Sequence, residues 1–282
     1  MVRIAFWVAL AAGAALAAGC GPGKELPEDL PNRTDPQATE PPVPKESEPA
    51  AKEYVAKAVR ALTGGKPELV QRAKVSRATL KGRMQLPSDT GPVMFSATRN
   101  FTAVWPDRAH VAVDLTLEKT NGQVLTWLRR PKLAVRQNGA DFPVPNEAEA
   151  ERVIACDITA QYWLALGLPL GDATSVAYGF QATPGAPTFV RLALPTFPPL
   201  GLHFDLTTDR LLRVEYTTTE QGRSRRKEWT LTATKPDAQG VHLPHKFEFR
   251  QDGVLVEEWT VEKWEFPDSI PDAEFVPPPP KK

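Results

Sequence analysis

Cysteine is almost missing from this chain: two residues in 282. That excludes a disulfide-stapled scaffold and a cysteine-built zinc module. An excess of charge is missing as well, since 34 Lys and Arg face 34 Asp and Glu. A dedicated nucleic-acid binder carries a basic surplus, so no nucleic-acid partner is expected. The one long apolar run is residues 4–18, which excludes a polytopic helical membrane protein. No Gly-x-Ser-x-Gly elbow, phosphate loop or dinucleotide fingerprint occurs. Neither an enzyme nor a cofactor is expected. Histidine is scarce too, at four. His242 and His245 sit three apart around Pro244, which points the two rings to opposite faces of a strand. No metal site is expected there.

The N-terminus carries a processing signal. Arg3 precedes the apolar run, which ends on small residues. This is the pattern of a secretory leader, to be set aside from fold reasoning. Leu16-Ala17-Ala18-Gly19-Cys20 resembles a bacterial lipobox, with Cys20 as the site of lipid (palmitate-type acyl) attachment. Two or three acyl chains hold a protein on a membrane, at about 0.8 kcal/mol per buried methylene. An ordinary leader cut near Ala18 is the competing reading. Residues 21–49 then hold eight prolines and no aromatic side chain. Such a segment cannot bury enough apolar area to offset ordering entropy, and reads as a disordered tether. The expected organisation is a leader at 1–19, lipidated Cys20 and tether at 20–49, a folded domain at 50–276, and a frayed tail at 277–282. Gly21, rather than aspartate, follows Cys20. Under the enterobacterial sorting rule this favours the outer membrane, facing the periplasm.

The body changes period along its length. Residues 50–62 place Tyr54, Val55, Val59 and Leu62 on one helical face, ended by Gly64-Gly65. A short helix is expected over 67–73. Alternation of period two follows. Ala78, Leu80, Met84 and Leu86 form one set; Phe95, Ala97, Phe101, Ala103 and Trp105 another; Val111, Val113, Leu115 and Leu117 the cleanest. Asn121-Gly122 predicts a hairpin turn. Residues 146–166 predict the longest helix, with Asn146 as N-cap and Ala150, Val153, Ile154, Cys156, Ile158, Tyr162 and Trp163 on its apolar surface. Cys156 reads as a buried small hydrophobe. Strands resume, separated by turns at Pro184-Gly185, Thr208-Asp209, Gln221-Gly222, Gln239-Gly240 and Asp252-Gly253.

About ten to twelve strands with short connections predict a strongly curved antiparallel sheet or unclosed barrel under a helical lid. The class is α+β, mainly β with helices. Arg223, Arg225, Arg226 and Lys227 read as a solvated hairpin tip. Glu257-Glu258 reads as solvated strand charge.

Four runs carry a resemblance: FDLTTDRLLRVEY at 204–216, RKEWTL at 226–231, GVHLPHKF at 240–247 and WEFPDSIPDAEFVP at 264–277. With AVRALTGG at 58–65, they look like the outer-membrane lipoprotein-sorting superfamily of LolA- and LolB-like proteins, with RseB on the same fold. The resemblance implies an unclosed β-barrel with a helical lid over a hydrophobic cavity for acyl chains. It also implies a half-barrel domain that binds lipids or lipoproteins without catalysis. The alternative is an RseB-like envelope-sensing or protein-interaction module without lipid cargo, whose partner is another envelope protein. Val153, Ile154, Ile158 and Trp163 are the expected lid residues of the cavity. Val113, Leu115, Val214, Tyr216, Trp229 and Trp259 are those expected from the sheet.

Overall fold

The computed structural model describes residues 46–87, 91–118, 120–166, 175–178 and 188–279. Cys20, the leader, most of the tether and the turn at Pro184-Gly185 lie outside the described residues, as do the side chains of 163–166.

Helix α1 (Pro49–Leu62) and the single turn α2 (Leu69–Arg72) come first. A run of strands follows: β1 (Val75–Leu86), β2 (Val93–Val104), β3 (Arg108–Leu117), β4 (Thr120–Arg129), β5 (Lys132–Gln137) and the two-residue β6 (Ala140–Asp141). Helix α3 (Glu147–Leu166) separates these from β7 (Ser175–Tyr178), β8 (Thr188–Ala193), β9 (Leu200–Phe204), β10 (Leu211–Glu220), β11 (Arg223–Pro236), β12 (His242–Gln251) and β13 (Val254–Glu265). A 3-10 turn at Asp272–Phe275 ends the chain's regular structure.

All thirteen strands form one antiparallel sheet, one more than the upper expectation. Their spatial order is β6-β5-β4-β3-β2-β1-β13-β12-β11-β10-β9-β8-β7. Sequential hairpins therefore build each half, and β1 against β13 joins the halves in the middle. The sheet is not closed into a barrel. At the central seam the two backbones come close: a Cβ on Gly82 would lie 1.9 Å from the Glu258 carbonyl oxygen. Only glycine leaves room there.

The same order makes β6 and β7 the two edges, although they are successive strands. Their connection is α3, which must cross the sheet from one edge to the other. It packs on β4 and β5 of one half and on β10, β11 and β12 of the other. Helix α1 covers the remaining part of the same face, over β9, β10 and β11.

The β7 edge is blocked from within the chain. Glu48 N–H donates to the Val176 carbonyl at 2.8 Å. Ser47 Oγ accepts from Val176 N–H, and Glu48 Oε2 accepts from Tyr178 N–H at 3.0 Å. Side-chain oxygens here take the edge amides that a further strand would use. The outer face of the other half is strapped by the C-terminal segment. Phe275 is buried, Arg77 and Arg108 pair with Glu274 and Asp272, and Arg136 donates to the Pro278 carbonyl.

One local expectation is corrected, while Asn146 holds the N-cap position immediately before α3. Asn121-Gly122 is not the hairpin turn: Leu117 pairs with Thr120, and Asn121 and Gly122 lie inside the ladder opposite Thr116 and Leu115. This register sets Val124 beside Val113 on the core face. A turn at Asn121-Gly122 would have placed Lys119 beside Val124 instead, so core pairing outweighs local turn preference. Asn146 precedes α3 with φ +50. Its carbonyl accepts from Glu149 and Ala150 N–H, while its side-chain amide donates to Glu149.

Candidate functional site

The concave face of the sheet is lined in strict alternation. Val111, Val113 and Leu115 of β3, Val214 and Tyr216 of β10, Trp229 of β11 and Trp259 of β13 are all buried and point to one side. Helix α3 packs on the same face over β4, β5 and β10 to β12, with Val153, Ile154 and Ile158 buried. The structure thus brings eight of the ten expected residues into one buried cluster, while Val153 is buried outside it. The side chain of the tenth, Trp163, lies outside the described residues.

Helix α3 departs from a simple amphipathic lid. From Val153 to Tyr162 every residue is buried, so the helix is enclosed on all sides. Asp157, Thr159 and Gln161 are among these buried positions, and Glu151, just before them, is buried as well. Cys156 is 1 % exposed, and burial together with neighbouring Asp157 pushes its thiol well above the ordinary range. Its thiolate is suppressed, in keeping with a packing role.

Asp157 is the centre of a buried polar cluster. Lys227 Nζ donates to both of its carboxylate oxygens at 3.1 Å. Tyr216 OH donates to Oδ1 at 2.5 Å, and Trp229 Nε1–H donates in turn to the Tyr216 oxygen at 3.1 Å. Lys227 Nζ also lies 2.6 Å from Glu220 Oε1, which accepts from Thr218 Oγ1 as well. One cation therefore ties the lid helix to β10 and β11. Burial raises Asp157 to about 7, against the pull of Lys227 and the Tyr216 hydroxyl. Burial opposes the Lys227 charge, but Asp157 and Glu220 outweigh it and raise its pKa.

A second buried pair stands on the same face. Arg99 of β2 and Glu257 of β13 are 3 % and 1 % exposed. Arg99 Nη1 approaches Glu257 Oε2 at 3.4 Å, the Trp259 indole N–H donates to that oxygen at 2.7 Å, and the guanidinium lies over the Trp259 ring. Burial lowers Arg99, while Glu257 first and Asp157 second raise it, so the two clusters share one electrostatic environment.

These clusters correct two expectations. Lys227 is not part of a solvated tip: it is fully buried, while Arg223 and Arg226 remain exposed. Glu257 is not a solvated strand charge, although Glu258 reaches outward to Arg83. The physical cause is phase. Lys227 is in register with Trp229 and Leu231, and Arg99 with Phe95, Ala97, Phe101 and Ala103. A charge in phase with apolar neighbours must enter the core and bring a partner with it. That phase was readable in the sequence; the partner across the fold was not.

His242 Nε2 lies 2.9 Å from Arg210, and His245 Nδ1 faces the Val261 carbonyl. Among the described residues no group of three or more potential metal ligands converges.

A separate apolar cleft, missed by sequence reasoning, lies under α1. With its solvent-open mouth it spans about 470 Å³, of which only a small part is enclosed. Val55, Ala58, Val59 and Leu62 of α1 form one wall, and Leu202, Phe204, Leu211 and Leu231 of the sheet form the other. None of the ten expected cavity residues lines it.

No family model and no curated protein sequence matches the chain. Solved structures do. A LolA-superfamily protein from Nitrosomonas europaea is 13% identical, with 80% of this chain and 97% of that chain covered at a TM-score of 0.50. A DUF1329-family protein from Desulfovibrio piger is 10% identical over 80% of this chain and 97% of that one, TM-score 0.47. A Vibrio parahaemolyticus domain assigned to outer-membrane lipoprotein sorting is 10% identical over 78% and 97%, TM-score 0.44. The expected resemblance holds at the level of fold: this chain, with its unclosed antiparallel sheet crossed by a helix, shares the fold of the LolA-superfamily structure.

Proposed function

We propose that this chain is a membrane-anchored envelope lipoprotein that binds acyl chains of lipids or lipoproteins between α3 and the concave face, without catalysis. In this reading residues 1–19 are the leader, Cys20 carries the lipid, and 20–49 is the tether. The domain at 50–276 works at the periplasmic face of the outer membrane.

One observation carries the reading. A broad apolar face spanning both halves of the sheet is covered in large part by α3, which is held to the sheet by a hydrogen-bonded ion pair, Asp157 to Lys227. Apolar faces need a cover, and an alkyl chain supplies one as well as a helix does. A chain of roughly fifteen methylenes contributes on the order of 12 kcal/mol when buried, enough to offset the lifting of several α3 side chains. The ion pair returns the helix to one place once the chain has left. The LolA-like fold of the chain supports the same reading.

The test uses the mature polypeptide from Gly21 onward, which keeps every described element and lacks the covalent lipid. Purified from a bacterial host without detergent, it is subjected to native mass spectrometry and lipid extraction. Phospholipid or fatty acid near one per chain, or uptake of a fluorescent fatty acid that Leu115→Asp abolishes with the fold retained, supports the reading. A clean apo mass with no uptake removes it, and leaves the RseB-like interaction module as the account.

A further inference from the structure

The cleft beneath α1 differs from the face beneath α3 in two ways. It is open to solvent without any movement of a helix, and its lining contains one cation, Arg210. Arg210 Nη2 donates to His242 Nε2 at 2.9 Å. This contact needs a neutral ring, and burial and the nearby guanidinium both hold His242 below its usual pKa. The Nε of Arg210 is buried and has no hydrogen-bond partner among the described residues. The acids at the same end are already engaged. Asp205 accepts from the Thr207 and Thr208 N–H groups and the Thr208 hydroxyl, and Asp209 pairs with Lys57 of α1 at 2.8 Å. A buried donor left unmade beside an apolar trough costs free energy until an acceptor arrives.

The trough also leads somewhere. Leu202 pairs with Val214 across β9 and β10, and Leu231 stands two positions from Trp229 on the same face of β11. Val214 and Trp229 belong to the layer under α3. From Arg210 to Val214 the strand runs roughly 14 Å at about 3.4 Å per residue. The cleft, with Arg210 in its lining, therefore adjoins the α3-covered layer along β9 to β11.

We propose that this cleft binds a single-chain anionic amphiphile, its alkyl tail between α1 and strands β9–β11 and its carboxylate or phosphate on the Arg210 guanidinium. The proposal rests on the acyl-binding reading above and adds the entrance and the head-group class. Free fatty acids and lysophospholipids share this chemistry. A guanidinium can donate two parallel, charge-assisted hydrogen bonds to either head, which an uncharged head cannot match.

The experiment is isothermal titration calorimetry on the mature chain from Gly21, with dodecanoate, dodecyl phosphate and dodecyl maltoside, each below its micellar concentration. The expected result is one site, with at least one anionic ligand bound tenfold or more tighter than the maltoside; the better anion identifies the source. Arg210→Gln, a partly exposed position whose fold is checked by circular dichroism, is expected to bring the anion to the maltoside level. Val59→Asp is expected to weaken all three. Equal binding of charged and uncharged heads overturns the proposal, as does anion binding that Leu115→Asp abolishes while Arg210→Gln and Val59→Asp leave it intact; in both cases acyl binding itself stands. Absence of any binding overturns both.

Discussion

Lys227 has no exposed surface and sits between Asp157 and Glu220, so the energetics of the site start with one ammonium group. Removing it leaves buried carboxylates uncompensated, which typically costs about 3–5 kcal/mol. Lys227→Met is therefore expected to lower the urea midpoint steeply, while Lys227→Met combined with Asp157→Leu recovers part of the loss. Additive losses in the double variant would contradict the pairing. Asp157 adds a pH dependence. Its folded-state pKa of about 7 lies above its ordinary value near 4. The folded state thus binds this proton more tightly, and stability falls as pH rises through that window, with the full penalty present above 7. Thermal melts from pH 8 to pH 5 are expected to show a rise in Tm for the native chain relative to Asp157→Asn. Parallel curves would remove Asp157 from the account. Glu215 on the outer face works in the opposite sense. Burial pushes it up, but His203, Arg226 and Arg213 together draw it down to about 2, so its contribution is present above pH 4.5 and lost toward 2. These charges also show what a sequence reveals at this scale. The inward phase of Lys227, Arg99 and Glu220 was present in the alternation, but their compensation depends on Asp157 and Glu257, which the chain delivers from far away.

Among the elements, α3 was legible as a helix and illegible as an enclosed one. Ala150, Val153, Ile154, Cys156, Ile158 and Tyr162 are buried as assigned, yet Asp157 and Glu151 are buried beside them because each meets a basic partner, Lys227 or Arg130, from the sheet side. Strand existence followed from period-two patterning. The β3–β4 register did not, because Asn121-Gly122 advertises a turn that the Val113–Val124 pairing overrides. The β7 edge could not be anticipated either: its protection comes from Ser47 and Glu48, residues whose Pro-rich surroundings read as tether. Replacing both by alanine is expected to speed hydrogen exchange at the Val176 and Tyr178 amides by an order of magnitude or more, with the β10–β11 ladder unchanged. Unchanged protection at those two amides would mean that the side-chain caps contribute nothing to the edge.

The described residues form a meander whose first and last strands meet in the centre of the sheet and whose middle crosses the concave face. That arrangement places the longest helix where it competes with any ligand of the sheet. It also explains why the apolar layer looks like ordinary core: when α3 is down, the layer is core. The α1 cleft gives the same face a second, already open approach. Sequence patterning could place residues on the concave face, but not distinguish those under α3 from those under α1, since both sets share one strand phase. The account's central claim is that acyl chains occupy the layer under α3. The most direct test is photocrosslinking of a diazirine-bearing fatty acid to the mature chain, with adducts mapped by peptide mass spectrometry. Adducts on Val113, Leu115, Trp229, Trp259 or residues 153–158 are the predicted result. Adducts confined to the convex face and the C-terminal strap, or none above those of a denatured control, would contradict it.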